Sequence, residues 1–269
     1  MRYLSIGHIC EDVTPAGKVL GGTVTFTALT ARALGWDGTI VTRAKPTLDL
    51  STLSGIDICH LPDEHTTTFE NRYTPEGRTQ ILHAAAGTMR ADDIPDAWRN
   101  ADVVHLAPIA REIDPGIIHG LARTFVGITP QGWMRQWDSR GHISKGPWEG
   151  AEDVLRKADA AVMSIEDVQG NWDIIKRWSE IVPVLAVTQG PRGATVFANG
   201  RSEQVPAEQV TEVDPTGAGD VFAAAFFINL QRTGDPLYSA ALANRLAAVS
   251  VTRVGILGVP TADEVREIL

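Results

Sequence analysis

The feature that most restricts the fold is a repeated alternation of short apolar runs with longer amphipathic stretches. Residues 103–106, 160–163 and 184–187 are runs of this kind, and each lies close to a helix-like segment. Strands that alternate with helices are typical of a mostly parallel sheet covered by helices. The chain has 269 residues, 43% of them hydrophobic, which suits an ordinary buried core. We therefore predict an α/β fold, organised as a single domain over residues 1–269.

Charge and cysteine content restrict the partners and the compartment. The formal net charge is −9, and acidic and basic residues are interspersed, so we expect neither a nucleic-acid partner nor an anionic membrane surface. No apolar run reaches membrane-spanning length, and the amino terminus lacks the pattern of a secretory signal. Cys10 and Cys59 have no metal-binding or redox spacing. A reducing cytoplasm is the expected location.

Residues 66–82 break the alternation. They predict two strands joined by a turn at 74–77, where Pro75 and Gly77 are typical turn residues. We interpret the segment as a hairpin that projects from the main sheet. Such a hairpin could cover a bound substrate as a small lid, or it could be a plain edge hairpin, and both interpretations stay open.

Residues 212–222 carry the most chemical information. They read Glu-Val-Asp-Pro-Thr-Gly-Ala-Gly-Asp-Val-Phe and precede an apolar run that ends near Gly234, which predicts a strand, a turn of small residues and a buried helix. Gly217 and Gly219 allow the backbone to approach a ligand closely, and a helix N-terminus presents unpaired N–H groups to an anion. The segment therefore predicts a seat for a phosphate group.

Asp220 falls in the first turn of this predicted helix. A carboxylate there repels a bound phosphate unless it serves to accept a proton from an incoming hydroxyl. Phosphoryl transfer depends mainly on positioning and on offsetting charge, so one base beside an anion seat is a sufficient set of groups. The alternative is an acidic residue that merely favours the positive end of the helix dipole. The complete string at 214–220 favours the catalytic interpretation.

That string, Asp-Pro-Thr-Gly-Ala-Gly-Asp, resembles the carboxy-terminal signature of the ribokinase-like (PfkB) family of carbohydrate and nucleoside kinases. The resemblance implies a ribokinase-like three-layer α/β/α fold with a mostly parallel central sheet and a small β lid. It also implies an ATP- and Mg²⁺-dependent kinase that acts on a hydroxyl of a small sugar or polyol. Further matches follow the family's order along nearly the whole chain: Gly7, Asp12, and residues 21–22, 33–35, 188–193 and 243–244.

The resemblance also implies a role for each matching residue. Asp220 is the implied catalytic base, and the backbone of Gly217, Ala218 and Gly219 is the implied anion hole. The implied nucleotide site consists of Thr188, Gly190, Gly193 and Asn244, and the implied substrate site consists of Asp12, Gly22 and Thr23. Asp167 matches a position that acts on magnesium through water, with Glu166 as the neighbour that could replace it.

Most of these residues also have a plain structural interpretation. Gly190 and Gly193 could form a hairpin turn, Asn244 could pack within a helix, and Asp12 could end a strand in an Asx turn. Only the ordered set favours the functional roles.

Departures from the family pattern bear on the substrate. Cys10 and Phe26 stand where the family often has asparagine, so a set of hydrogen-bonding groups for ribose is incomplete. The Gly-x-x-Cys-x-Asp-Val pattern at 7–13, with residues 67–70 and 131–135, resembles the plant-type inositol kinases instead. This branch implies an inositol or a related polyol as acceptor. The family further implies a monovalent cation such as K⁺ near the signature and pairing of two chains through lid strands.

Other functions are less well supported. Residues 190–193 lack the first glycine of G-x-G-x-x-G, no P-loop string occurs, and no G-x-S-x-G or H-E-x-x-H motif is present. A nucleoside kinase stays open as an alternative. A catalytically weak sensor of a nucleotide or metabolite on the same fold is the non-enzyme alternative, although a pure binder has no need of a carboxylate facing phosphate.

Overall fold

The computed structural model describes residues 1–74, 77–121 and 124–269. Within these residues the chain forms fifteen strands and six α-helices. The strands are β1 Arg2–Ile6, β2 Cys10–Thr14, β3 Gly17–Gly21, β4 Asp37–Ala44, β5 Asp57–Pro62, β6 Thr67–Thr74, β7 Gly77–Ala84, β8 Val103–Leu106, β9 Phe125–Ile128, β10 Arg135–Trp137, β11 Ile143–Lys145, β12 Ala160–Ser164, β13 Val184–Thr188, β14 Ala194–Ala198 and β15 Arg201–Val205. The helices are α1 Thr23–Ala33, α2 Ala151–Leu155, α3 Trp172–Ser179, α4 Ala218–Thr233, α5 Pro236–Ser250 and α6 Ala262–Ile268.

The large central sheet confirms the predicted α/β fold. Its strand order within the described residues is β15-β14-β13-β12-β9-β8-β1-β4-β5. The seven strands from β13 to β5 are parallel, and β14 and β15 continue the sheet in antiparallel pairing. The apolar runs at 103–106, 160–163 and 184–187 lie in β8, β12 and β13, so the alternation in the sequence predicted the sheet correctly.

Side chains that alternate along each strand bury both faces of this sheet. In β1, Leu4 and Ile6 pack in the hydrophobic cluster that contains α2 and α3, whereas Tyr3 packs in the cluster that contains α4 and α5. The two helical layers are unequal, because α2 and α3 have only 5 and 8 residues while α4 and α5 have 16 and 15. The sheet therefore has a thick layer of long helices on the face that carries α4.

The lid is larger than the sequence predicts. The predicted hairpin at 66–82 is confirmed as the antiparallel pair β6 and β7, although Pro75 and Glu76 of its turn lie outside the described residues. This pair does not stand alone, because β2 pairs in parallel with β6 and carries β3 on its other side. The result is a separate four-stranded sheet. Polar residues in β2 obscure the period-2 pattern by which a strand is recognised.

The signature segment folds partly as predicted. Helix α4 is buried along Val221–Leu230 and ends at Gly234, whose left-handed backbone caps it. The strand predicted before this turn is wrong: Val213 is 58% exposed, and the amides of Val213 and Asp214 donate to the Val251 carbonyl at the end of α5 instead of to a strand. No described helix has the length and apolar character needed to cross a membrane.

Candidate active site

A cavity of about 410 Å³ opens where the parallel strands of the central sheet end, beneath the lid. Ser164 and Thr188 are the last residues of β12 and β13, and Thr129 directly follows β9. Ligands of open α/β sheets usually bind at this edge. The lining brings together Asp12, Gly22 and Thr23 from the amino-terminal part of the chain, Thr188 and Asp167 from its middle, and Gly217, Gly219 and Asp220 from the signature.

Helix α4 begins at this cavity because a glycine allows it to do so. Gly217 has φ of +81°, and a Cβ atom at this residue would lie 2.2 Å from Cε1 of Phe26. The Gly217 carbonyl accepts the amides of Asp220 and Val221, which starts the helix. The Ala218 amide donates to the Pro215 carbonyl at 3.2 Å. Within the described residues, the amides of Gly217 and Gly219 have no such partner, so they are the donors that can face an anion.

Asp220 projects from the first turn of α4 into the cavity. Burial raises the pKa of its carboxyl to about 6, and the nearby carboxylates of Asp167 and Asp12 act in the same direction. A hydrogen bond from Thr23 and the positive charge of Arg135 oppose the rise in this pKa. An acid that loses its proton near pH 6 is a suitable general base at neutral pH.

Thr23 links this carboxylate to a further side chain. Gln131 Nε2 donates to Thr23 Oγ1 over 3.2 Å, and the Thr23 hydroxyl donates to Asp220. Thr23 is buried at the start of α1, directly after Gly22. The residue predicted as a substrate ligand therefore orients the candidate base.

The lid strand β2 supplies Asp12 and Cys10 to the same cavity. Asp12 lies in mid-strand opposite Val19, so it does not end a strand in an Asx turn. The connection to α1 requires glycine: a Cβ atom on Gly21 would lie 2.1 Å from Asp12 Oδ2, and one on Gly22 would lie 2.5 Å from the His8 carbonyl. These close approaches hold the lid against the start of α1.

Asp167 is engaged by other protein groups. Its Oδ1 accepts from Lys145 Nζ at 2.7 Å and its Oδ2 accepts from the Ser164 amide at 3.0 Å. Glu166 is exposed and lines this cavity as well as a second one. No group of three potential metal-binding side chains occurs among the described residues. Glu166 is thus the more accessible of the two carboxylates at this cavity.

The second cavity, of about 370 Å³, lies on the other side of Glu166 and Thr188. Gly190 and Gly193 line it and also form the hairpin turn between β13 and β14, in which the Gln189 amide donates to the Gly193 carbonyl at 2.7 Å. Asn244 lines it too, but its Nδ2 donates to the carbonyls of Val205 and Pro206. Gly190 and Gly193 therefore form a turn and Asn244 makes structural hydrogen bonds, and all three residues also line the cavity.

Asp214 is the first residue of the signature, near which the family resemblance implies a monovalent cation. Its two carboxylate oxygens accept the amides of Thr216 and Gly255 at 2.9 and 2.8 Å. The protein's own N–H groups thus engage both oxygens of this carboxylate, which links the signature to the segment after α5.

Several cavity residues were not predicted individually from the sequence: Asn71, Gln80, Thr129, Gln131, Arg135 and Lys145. Arg135 and Lys145 lie directly opposite each other in the β10–β11 ladder, ten residues apart in the chain. Gln80 Nε2 donates to Asn71 Oδ1 across β6 and β7. Only the register of these short strands brings them together, and no motif marks that register.

Comparisons with known proteins find similarity to kinases along the chain. The family model described as pfkB family carbohydrate kinase matches residues 157–262. A ribokinase from Bacillus subtilis is 40% identical over 86 residues, which are 32% of this chain and 29% of that protein. A cytidine kinase from Thermococcus kodakarensis is 26% identical over 255 residues, covering 86% of this chain and 89% of that protein. The first of these matches thus spans less than a third of its relative.

Solved structures share the fold over nearly the full chain. A pyrophosphate-dependent kinase of the ribokinase family, complexed with a pyrophosphate analog and myo-inositol, superimposes with a TM-score of 0.84 at 22% identity, covering 98% of this chain and 99% of that one. Ribokinase from Thermotoga maritima gives a TM-score of 0.76 at 18% identity, covering 99% and 98%. The chain thus has a ribokinase-like fold, and its residues 157–262, which include the signature, match the pfkB family carbohydrate kinase model.

Proposed function

We propose that this domain transfers the γ-phosphoryl group of ATP to a hydroxyl of a small polyol or sugar, with an inositol as the leading acceptor. The observation that carries the proposal is the position of Asp220, a carboxyl with a pKa of about 6 beside the glycine amides that begin α4. A base and an anion seat in one cavity are the groups that phosphoryl transfer requires.

The proposed chemistry is a single in-line displacement. The acceptor hydroxyl gives its proton to the Asp220 carboxylate while its oxygen forms a bond to the γ-phosphorus. The bond from this phosphorus to the bridging oxygen breaks, and ADP leaves with that electron pair. The Gly217 and Gly219 amides stabilise charge on the transferring group, whereas the Ala218 amide, which donates to Pro215, contributes less.

Magnesium, bound with the donor phosphates, would neutralise part of their negative charge. Glu166 would hold it through water, because this exposed carboxylate lies between the two cavities. Asp167 acts indirectly in this proposal. It holds the Lys145 ammonium at the cavity wall, where the positive charge would face the donor phosphates.

The acceptor would lie under the lid. Asp12, Asn71, Gln80 and Gln131 provide both donors and acceptors to the cavity wall, which suits a molecule with several hydroxyl groups. Phe26 fills the region beside Gly217. This mixture favours a polyol such as inositol, and it leaves a nucleoside as the second acceptor class.

ATP is the proposed donor because of the second cavity. This cavity lies beyond the anion seat, and Ala247, Ala248 and Val251 of α5 and its end give it an apolar wall suited to a nucleobase. Pyrophosphate, the donor of the structurally similar kinase, has no base to occupy this space. The same assay must therefore compare the two donors directly.

The test is phosphate transfer by the purified protein with magnesium, using ATP or pyrophosphate and a panel of inositols, sugars, sugar phosphates and nucleosides. We expect turnover of one polyol class with ATP. Turnover with pyrophosphate alone would overturn the donor assignment, and turnover of nucleosides alone would overturn the acceptor assignment. ATP binding without turnover of any panel member would favour the sensor.

A further inference from the structure

A buried chain of hydrogen bonds runs through the central sheet to the wall of the larger cavity. The Tyr3 hydroxyl lies 2.9 Å from His105 Nδ1, and His105 Nε2 lies 2.9 Å from Thr129 Oγ1. Tyr3 and His105 belong to the neighbouring strands β1 and β8 and are 0% exposed. Thr129 lines the cavity. The mechanism proposed above uses none of these three groups.

Burial keeps the Tyr3 hydroxyl and the His105 imidazole uncharged. It raises the pKa of the Tyr3 hydroxyl well above its ordinary value and lowers the pKa of His105 to about 3. The ring of Phe227 packs edge-on against His105 at a centroid distance of 5.0 Å. A neutral imidazole has one N–H group and one acceptor nitrogen. The hydrogen bonds that link Tyr3, His105 and Thr129 can therefore point in only two directions.

One direction leaves a buried donor without a partner. If His105 carries its proton on Nδ1, it donates to Tyr3, and the Tyr3 O–H then has no acceptor among the described residues. A buried unsatisfied donor is costly. If Tyr3 donates to Nδ1 instead, Nε2–H donates to Thr129, and both fully buried side chains, Tyr3 and His105, are satisfied, while the proton left over belongs to Thr129 at the cavity wall. The second direction is therefore the stable one.

This direction determines what Thr129 offers to a ligand. With its oxygen accepting from His105, the Thr129 hydroxyl has its own proton left, and none of the described residues accepts it. The side chain borders the cavity, so this proton is available to a group bound there. The carboxylates of Asp12 and Asp220 can only accept hydrogen bonds from a substrate hydroxyl, whereas the Thr129 hydroxyl can donate one to the oxygen of such a hydroxyl.

We propose that Thr129 is a fixed hydrogen-bond donor to a hydroxyl oxygen of the acceptor substrate, and that Tyr3 and His105 are positioning residues that set the direction of its O–H group. The ligand in this assignment rests on the proposed function. The direction of the hydrogen-bond chain does not, because it follows from the buried groups alone.

Kinetics test the donor. Thr129→Val removes the hydroxyl at nearly constant volume, and we expect KM for the acceptor to rise roughly three- to tenfold, as for one neutral hydrogen bond, with KM for ATP unchanged. Thr129→Ser should stay close to wild type. Thr27→Val is the matched control, because Thr27 forms a buried hydroxyl pair with Ser5 at 2.7 Å, away from the cavity.

The tautomer of His105 tests the direction of these hydrogen bonds. A loss of packing alone does not produce the same change. In ¹⁵N-histidine-labelled protein, His105 should carry its proton on Nε2 throughout pH 5–8, and Tyr3→Phe should yield a mixture of tautomers. A wild-type proton on Nδ1, an unchanged tautomer in Tyr3→Phe, or a wild-type KM in Thr129→Val would each overturn the inference. If wild-type protein phosphorylates no acceptor, the proposed function fails, and the tautomer result still decides the direction.

Discussion

At the scale of single residues, the chemistry depends on the surroundings of Asp220. Its carboxyl faces other carboxylates and is withdrawn from water, both of which favour the protonated form, and Thr23 partly offsets this by donating to it. The same groups that raise its pKa make it a stronger base once it has lost its proton. The pH at which activity appears therefore reports on this environment.

We predict that kcat/KM falls on the acid side with a midpoint near pH 6, the pKa of Asp220. Thr23→Val removes the hydrogen bond that lowers this pKa, so the midpoint should move to higher pH, while Thr23→Ser should leave it near the wild-type value. The measurement is the pH profile of kcat/KM for the three proteins. A midpoint near pH 4 in wild type, or one unmoved in Thr23→Val, would contradict the assignment.

Stability offers an independent measure of the same pKa. Because folding raises the pKa of Asp220 from 3.8 to about 6, the folded state binds the proton more tightly, and its stability decreases as pH rises between these values. Asp220→Asn removes this dependence. At pH 8 the variant should be more stable than wild type by up to about 3 kcal/mol, a limit that solvent screening reduces.

Denaturant unfolding of both proteins at pH 8 and below pH 4 measures this difference, which should disappear at the acid end because both side chains are then neutral. A variant that is less stable than wild type at pH 8 would show that Asp220 contributes to folding through its charge. That result would conflict with a carboxylate held at a cost in stability for function.

At the scale of elements, the first turn of α4 joins fold and function. Gly217 adopts a left-handed backbone at the point where Phe26 of α1 approaches most closely. The helix can therefore begin at the cavity and present its amides there. Farther along, the buried face of α4 packs on the central sheet, which fixes the direction of its N-terminus.

Gly217→Ala should be much more damaging than the same change at Gly234. Both glycines have positive φ, +81° and +68°, but a Cβ atom at 217 would lie 2.2 Å from Phe26, whereas nothing lies within 4 Å at 234. We expect Gly234→Ala to cost about 1 kcal/mol from backbone strain alone. Gly217→Ala should cost more and also weaken ATP binding, because α1 or the turn must move.

Unfolding free energies and ATP titrations of the two variants test this difference. Equal losses of stability, or unchanged ATP affinity in Gly217→Ala, would mean that the contact with Phe26 does not fix the start of the helix.

At the scale of the whole molecule, the domain places two cavities on either side of one anion seat. The larger cavity lies between the central sheet and the lid, and the second lies between the β13–β14 turn and α5. Glu166, Thr188 and Gly219 border both. In the proposed function, the phosphate donor occupies the second cavity and the acceptor occupies the larger one, on either side of the start of α4.

The features that a local sequence pattern determines were predicted correctly. The alternating runs predicted the parallel sheet, and the string at 214–220 predicted the turn and helix that hold Asp220. Prediction from the sequence failed where distant residues decide the structure. Residues 212–214 attach to the end of α5 instead of forming a strand, and β2 and β3 complete the lid. These features depend on strand register and tertiary contacts, which no local motif records.

The central claim is that Asp220 acts as the base between bound donor and acceptor. The most direct measurement is acceptor-dependent phosphate transfer by Asp220→Asn, with donor affinity determined by calorimetry on the same preparation. We predict that turnover falls roughly 10²–10⁴-fold, while donor affinity stays near that of wild type because the amides of α4 are intact. Turnover that persists at the wild-type rate in Asp220→Asn would contradict the account.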